Sequence, residues 1–202
     1  MPQPVIRTQR IELRPLRPQH LPLLHELDSD PEVMRYLLGR ARTPDEIDEF
    51  WGPRCADTRP DALGLGWWAG FDGDDFLGWW ELSPSVSGPE REPSSEDAEI
   101  GWRVIRCRWR QGLASEGARA LLAYGFGTLG LERVWAETMT VNEASRGVMR
   151  AVGMRHVRTE YRAHDEPLPG SEDGEVVYEI AADEWRAAVA DGSPAKEERS
   201  RP

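Results

Sequence analysis

Lysine is almost missing from this 202-residue chain: Lys196 is the only one, and every other basic side chain is arginine. Positive charge is short as well, with 36 acidic against 25 basic residues and a formal net charge of −11. Such a surface lacks the basic stripe that neutralises phosphate backbones, so nucleic acid is excluded as the expected partner and cationic ligands are favoured. Long apolar runs are absent. No stretch approaches the ~20 apolar residues that cross a bilayer, and Met1-Pro2-Gln3-Pro4 lacks the basic-then-apolar pattern of a secretory signal. The expected location is the cytoplasm, with no membrane partner. Cysteine is scarce: Cys55 and Cys107 stand far apart, outside any C-x-x-C spacing. That excludes a disulfide framework and a cysteine metal centre, and leaves two buried free thiols as the expectation.

What is present is a chain of alternating strand and helix signals, with no internal repeat and no linker, long enough for one domain with its own core. Residues 6–17 read as a first strand, followed by a helix carrying Leu21, Leu24 and Leu27. Asp30-Pro31 restarts a short helix that ends at Gly39. Thr43-Pro44-Asp45-Glu46 has the form of a capping box, with proline at the first helical position. Residues 64–70 and 76–82 read as strands joined through Asp72-Gly73, a hairpin signal. The stretch 83–97 is rich in Ser, Pro and Glu and reads as a loop. A strand over 98–107, an amphipathic helix over 114–129 and a strand over 133–141 follow. Next come a short helix over 143–152, strands over 154–162 and 175–180, and a helix over 182–190. Residues 191–202 are polar and read as a disordered tail. In this order the elements imply one α/β (α+β) domain over 6–182, built on a mixed, mostly antiparallel sheet.

The segment Trp109-Arg110-Gln111-Gly112-Leu113-Ala114-Ser115-Glu116 joins a strand to the amphipathic helix. A glycine turn at a helix start aims several backbone N–H groups one way, and the helix dipole adds positive charge, which suits a phosphate. Gly112-x-x-x-x-Gly117 is followed by Ala118, so the Lys-Ser/Thr of a nucleotide P-loop is missing, and no G-x-G-x-x-G is present.

Together with Ala98-Glu99-Ile100-Gly101-Trp102, Asn142-x-Ala144-Ser145, Gly153-Met154 and Val176-Val177-Tyr178, that segment resembles the GNAT superfamily of acyl-CoA-dependent N-acetyltransferases. Within it the chain resembles most the ribosomal-protein alanine N-acetyltransferase group, the RimJ/RimL-like enzymes. The resemblance implies a twisted sheet of six or seven strands whose two central members, 98–107 and 133–141, splay apart. It implies that the pantetheine arm of acetyl-CoA pairs with backbone at Trp102, Arg103 and Val104. The pyrophosphate would rest on Arg110, Gln111, Gly112, Leu113, Ala114 and Ser115, and Asn142 would bond to the arm. No metal is implied. The chain departs from the pattern at Trp109, at Arg110, whose charge suits a phosphate, and at Met149. Many members carry a tyrosine acid at the last position, and methionine has no proton to give; in the ribosomal-protein group Ser145 takes that role.

Amide formation requires a base for the amine proton, donors for the developing oxyanion, here a strand N–H near Val104, and a proton for the thiolate. Glu99 is the favoured base; the blander reading is a solvent-facing strand carboxylate, and Glu96 and Asp97 lie close by. His164 is the second candidate, by an ungapped match to a carboxylate of the ribosomal-protein group, against the plain reading of an exposed loop histidine. Ser145 is the candidate acid, and Asn142 reads equally as a helix N-cap. His20, His25 and His156 are expected to be structural or exposed. One tryptophan of Trp67-Trp68 and of Trp79-Trp80 faces the core, leaving the other for an acceptor wall or a dimer contact. Glu90, Glu92, Glu96, Asp97, Asp165, Glu166, Glu172 and Asp173 place acidic loops at the acceptor side. The acceptor is expected to be a cationic primary amine, and a second copy of the chain is a further candidate partner. The competing class is a non-catalytic acyl-CoA-binding sensor of the same fold.

Overall fold

A computed structural model describes residues 2–57, 63–85, 94–162 and 167–191. Among them, strands β1 (Ile6–Arg7), β2 (Glu12–Pro15), β3 (Gly66–Asp72), β4 (Asp75–Ser85), β5 (Ser94–Val104), β6 (Arg133–Met139), β7 (Arg155–Glu160) and β8 (Glu175–Ala181) form one sheet. Its order is β1-β2-β3-β4-β5-β6-β8-β7. Every neighbouring pair is antiparallel except β5 and β6, which run parallel around the crossover through α3 (Leu113–Tyr124). Helices α1 (Leu21–Asp28), α2 (Pro44–Ala56), α4 (Glu143–Ala151) and α5 (Ala182–Ala190) complete the α/β architecture.

Both faces of the sheet are covered, which decides where the tryptophans go. Trp68 and Trp80 are fully buried in the larger core, with Leu121 and Leu122 of α3 and Met149 of α4. Trp79 is buried on the opposite face, under Leu24 and Leu27 of α1 and Ile47 and Trp51 of α2, with Trp67 packed against it. Strand alternation therefore separates the pairs as expected, but the second members fill a second core instead of forming an exposed wall. Trp80 also fixes α3. A Cβ on Gly117 would lie 2.5 Å from the indole, so the helix seats against the ring only because that position is glycine. The indole N–H donates to the Ala114 carbonyl at 3.2 Å.

Several boundaries differ from the sequence reading. Residues 6–17 form two short strands, because the Thr8 hydroxyl accepts from the N–H groups of Arg10 and Ile11 and turns the chain. This raises the sheet to eight strands. The helix expected after Pro31 is a run of turns, since the segment before Gly39 is too short to propagate. Part of the expected loop 83–97 is strand: Ser83 pairs with Glu99 and Pro84 with Ala98, so cross-strand pairing overrides composition. Strand β5 stops at Val104, where Arg106–Arg108 form a tight turn, and this leaves Cys107 exposed rather than buried. Cys55 is buried, and burial pushes its thiol up to about 11. The last turn of the expected 114–129 helix widens into a π-type turn at Gly125–Leu129. The Thr43–Glu46 capping box forms in both directions. Residues 192–202 of the expected tail lie outside the described residues.

Asp28, at the end of α1, has no exposure and joins the helical layer to the sheet. It receives the Arg103 guanidinium at 2.5 Å and the Trp51 indole N–H at 2.8 Å. Removing the carboxylate strands a buried arginine and a buried indole donor. We expect Asp28→Ala to cost about 3–5 kcal/mol of unfolding free energy, measured as a drop in the denaturation midpoint. A loss under 1 kcal/mol would contradict the linking role assigned here.

Candidate active site

The ladder between β5 and β6 is short. Only Asp97–Arg133, Ala98–Val134 and Glu99–Trp135 pair, closed at one end by the Arg133–Asp97 ion pair. Beyond Glu99, β5 continues on β4 as far as Val104 and β6 continues on β8 as far as Met139, so the two strands part. The backbone facing this gap follows from two bonds. The Ile105 N–H donates to Leu77 at 2.9 Å on the β4 side, and the Glu96 carbonyl accepts from Glu132 at 2.8 Å on the β6 side. Alternation along an antiparallel pair then turns the N–H and C=O groups of Trp102 and Val104 toward the gap and those of Arg103 toward β4. Arg103 is thus no backbone partner for a ligand in the gap, and its side chain is committed to Asp28. The Val104 carbonyl accepts from the Trp109 indole at 2.6 Å, which ties the glycine turn to the end of the strand.

The turn itself is open. Arg110 has φ +60°, and among the described residues it is the single non-glycine with positive φ. Gly112 follows at φ +76° as the N-cap of α3, and no side chain caps the helix there. Arg110, Gln111 and Gly112 are exposed, Ala114 and Ser115 partly buried, and Leu113 buried, so Leu113 offers only its backbone. Glu116 stabilises the turn from behind, accepting from Thr8 at 2.6 Å and from the Arg10 side chain at 2.7 Å, while Arg10 also donates to the Gln111 carbonyl at 2.9 Å. These donors leave the helix N-terminus facing outward with its own N–H groups, the chemistry a diphosphate requires.

Glu99 sits on the α1–α2 face at the last paired position, half-buried where the strands part. Burial, followed by the negative charge of Glu137, pushes its carboxyl up to about 7, while Arg162 pulls the other way. Arg162 grips Glu137 through two bonds of 2.7 and 2.8 Å and also bonds Glu175 and Glu160 at 2.6 Å, which pins the ends of β6, β7 and β8 together. The two alternatives beside Glu99 differ from it. Asp97 is locked to Arg133, and Glu96 is exposed and lies on the opposite face by alternation. His164 lies outside the described residues, as do Glu90, Glu92, Asp165 and Glu166. His20 accepts from the Arg17 N–H, His25 meets Asp48 at 2.7 Å, and His156 is exposed beside Thr159.

On the other side of the sheet, Asn142 caps α4. Its carbonyl oxygen accepts from the Ser145 N–H at 3.2 Å and its amide donates to the Thr138 hydroxyl at 3.0 Å, so the capping reading is realised. Ser145 lies in the first turn, partly exposed, and its hydroxyl makes no hydrogen bond among the described residues. Met149 is 1% exposed in the core, so no acid arises from that position. Sequence reasoning missed Glu81, Glu137 and Arg162. Glu81 had a usable signal: it shares the strand face of Trp67 and Trp79, an inward position for a charged residue. Among the described residues no cluster of metal-ligating side chains occurs, and no helix is long and apolar enough to cross a membrane.

A gap between parting strands, an open helix N-terminus at its mouth and a carboxyl raised to about 7 are the parts that an acyl-transfer site fed by a diphosphate-bearing carrier requires. The Acetyltransferase (GNAT) domain profile matches residues 10–155. The chain is 44% identical over 188 residues to the FsC-acetyl coenzyme A-N(2)-transacetylase of Aspergillus fumigatus, covering 91% of this chain and 78% of that protein. Spermidine N-acetyltransferase from Vibrio cholerae, solved with CoA and spermine, superposes with a TM-score of 0.70 at 16% identity, over 89% of this chain and 99% of that one. RimL, a ribosomal L7/L12 α-N-protein acetyltransferase solved with coenzyme A, superposes at 0.69 with 20% identity, over 90% of this chain and 98% of that one. The last two show a shared fold. The chain belongs to the GNAT acetyltransferase family and is an acetyl-CoA-dependent N-acetyltransferase. The narrower ribosomal-protein placement is not carried by these likenesses, because RimL is one structural neighbour while the 44% identical relative is a different N-acetyltransferase.

Proposed function

We propose that the enzyme acetylates a primary alkylamine that arrives as a cation, either a peptide N-terminus or a small amine, by direct transfer in a ternary complex in the cytoplasm. Acetyl-CoA supplies the acetyl group as a thioester. The backbone N–H groups of Gly112, Leu113, Ala114 and Ser115 suit its diphosphate, the side chains of Arg110 and Gln111 flank it, and the Trp102 and Val104 backbone suits its arm. Asn142 orders the start of α4 beside them. Glu99 takes a proton from the ammonium, which must be neutral to react. The Val104 N–H faces the gap where an oxyanion would need a donor, and the Ser145 hydroxyl is the proton donor for the leaving sulfur.

The observation that carries this reading is the Glu99 carboxyl, held at the parting of the strands with a pKa of about 7. A cationic acceptor is supported by the chain's net charge of −11 and by Glu137, Glu160 and Glu175 on the same side. The relative's name, which places transfer at an N(2) nitrogen, supports an amine acceptor. The test is thiol release from acetyl-CoA in the presence of peptides beginning with Ala or Ser, polyamines and aminoglycosides. We expect at least one class to drive steady release; release that no amine accelerates would overturn the reading. With the acceptor so found, Ser145→Ala is expected to lower kcat about a hundredfold with little change in either KM. An unchanged kcat would remove Ser145 from the mechanism.

A further inference from the structure

Glu81 is 8% exposed, yet its carboxyl forms no hydrogen bond or ion pair among the described residues. The cations nearest to it are occupied elsewhere. Arg103 of β5 is bonded to Asp28 at 2.5 Å, and Arg54 of α2 lies on the Phe50 ring at 3.7 Å and donates to the Phe50 carbonyl at 2.6 Å. Glu99 of β5 adds a charge of the same sign. A carboxyl this deep without a bonded cation is costly unless something else completes it.

Its place in the sheet indicates what that is. Glu81 pairs across β4–β5 with Gly101, and Ser83 with Glu99, so Glu81 and Glu99 are diagonal neighbours on one face. Diagonal positions on a sheet lie about 7–8 Å apart, within reach of a group bonded to both side chains. The Glu81 carboxyl lies across the β5 backbone: its Oε1 is 2.6 Å from where a Cβ of Gly101 would stand. Gly101 is two residues past the last β5–β6 pair, so the carboxyl lies over the part of β5 that borders the gap. Glycine at this position is what admits it.

We propose that Glu81 is the acceptor-recognition residue of this enzyme, its carboxyl across Gly101 being the seat for the ammonium group of a cationic alkylamine beside Glu99. The inference rests on the reading of the chain as an acetyltransferase with a cationic amine acceptor. Burial and then the charge of Glu99 push this carboxyl well above the ordinary carboxyl range, against the weaker pull of Arg103 and Arg54. An arriving ammonium favours the carboxylate form.

The test uses the full chain saturated with CoA, with hexylammonium chloride as the probe and 1-hexanol as its uncharged counterpart, read by thermal unfolding. We expect hexylammonium to raise the wild-type midpoint and hexanol to leave it unmoved. Glu81→Gln, which keeps the shape of the protonated acid, and Gly101→Ala, whose methyl group displaces the carboxyl, should both lose most of that rise. In turnover with the amine found by the thiol-release screen, Glu81→Gln should raise the amine KM about 30-fold or more, with the KM for acetyl-CoA and the acid limb near pH 7 retained. Equal protection of wild type and Glu81→Gln, equal protection by hexanol, or no protection of wild type would each overturn the proposal. Glu99→Gln separates it from the base assignment: loss of the acid limb with ammonium protection intact supports both. A limb that survives in Glu99→Gln, with protection still lost in Glu81→Gln, overturns the base and leaves the seat standing.

Discussion

Glu99→Gln should reduce kcat/KM by about 10²–10⁴-fold while leaving CoA affinity unchanged, because a positioned general base contributes on that scale. In the wild type the base works only when ionised. With its carboxyl at about 7, kcat/KM should climb with pH up to that value and level off above it, and the limb should vanish in the variant. The same shift acts on stability with the opposite sense. Folding raises this pKa from 4.5 to about 7, so the folded state holds the proton more tightly than the unfolded chain does. Glu99 therefore costs nothing below pH 4.5, and its cost grows until the folded group is ionised above about 7. At pH 8 the glutamine variant should be more stable than wild type by about 1–3 kcal/mol, reduced from the full shift because the side chain is partly solvated. At pH 4 the difference should disappear. A variant that is slow yet no more stable at pH 8 would locate the base elsewhere, and one with normal turnover would remove Glu99 from catalysis.

Gly112→Val is expected to weaken CoA binding at least about 100-fold, through backbone geometry and not through a lost side chain. At φ +76° a β-branched residue is strained, and relaxing it rotates the N–H groups away from a shared anion. The fold should survive. A Cβ at this exposed position meets only the tip of Arg10, at 3.6 Å, and the strain is limited to about 1–3 kcal/mol. Titration calorimetry with CoA reads the affinity directly, and the thermal midpoint without CoA checks the fold. Wild-type affinity in a folded Gly112→Val protein would detach the diphosphate from this turn.

Much of the site was legible because it depends on local chemistry. A glycine opening an amphipathic helix reads as an anion-binding turn whether or not the rest of the fold is known, and Gly112 has the required left-handed backbone. Asn142 reads as a cap and acts as one. Glu99 was legible as a carboxylate on the strand that precedes the turn. Its neutral-range pKa was not, since that depends on burial in the folded chain and on Glu137, which lies 38 positions further along.

By itself the sequence determined most of the order of strands and helices, the glycine turn, the caps and the acidic balance. Each of these follows from neighbours within a few residues, or from composition, where periodicity and steric rules operate. Only the tertiary structure decided that β5 and β6 pair for three residues and then part, that each tryptophan pair divides between two cores, and that Glu81 lies across Gly101 beside Glu99. Those outcomes depend on register between strands distant in sequence and on the packing of helices against both faces. Register and packing are settled by the energy of the whole sheet, which no local window of the chain contains.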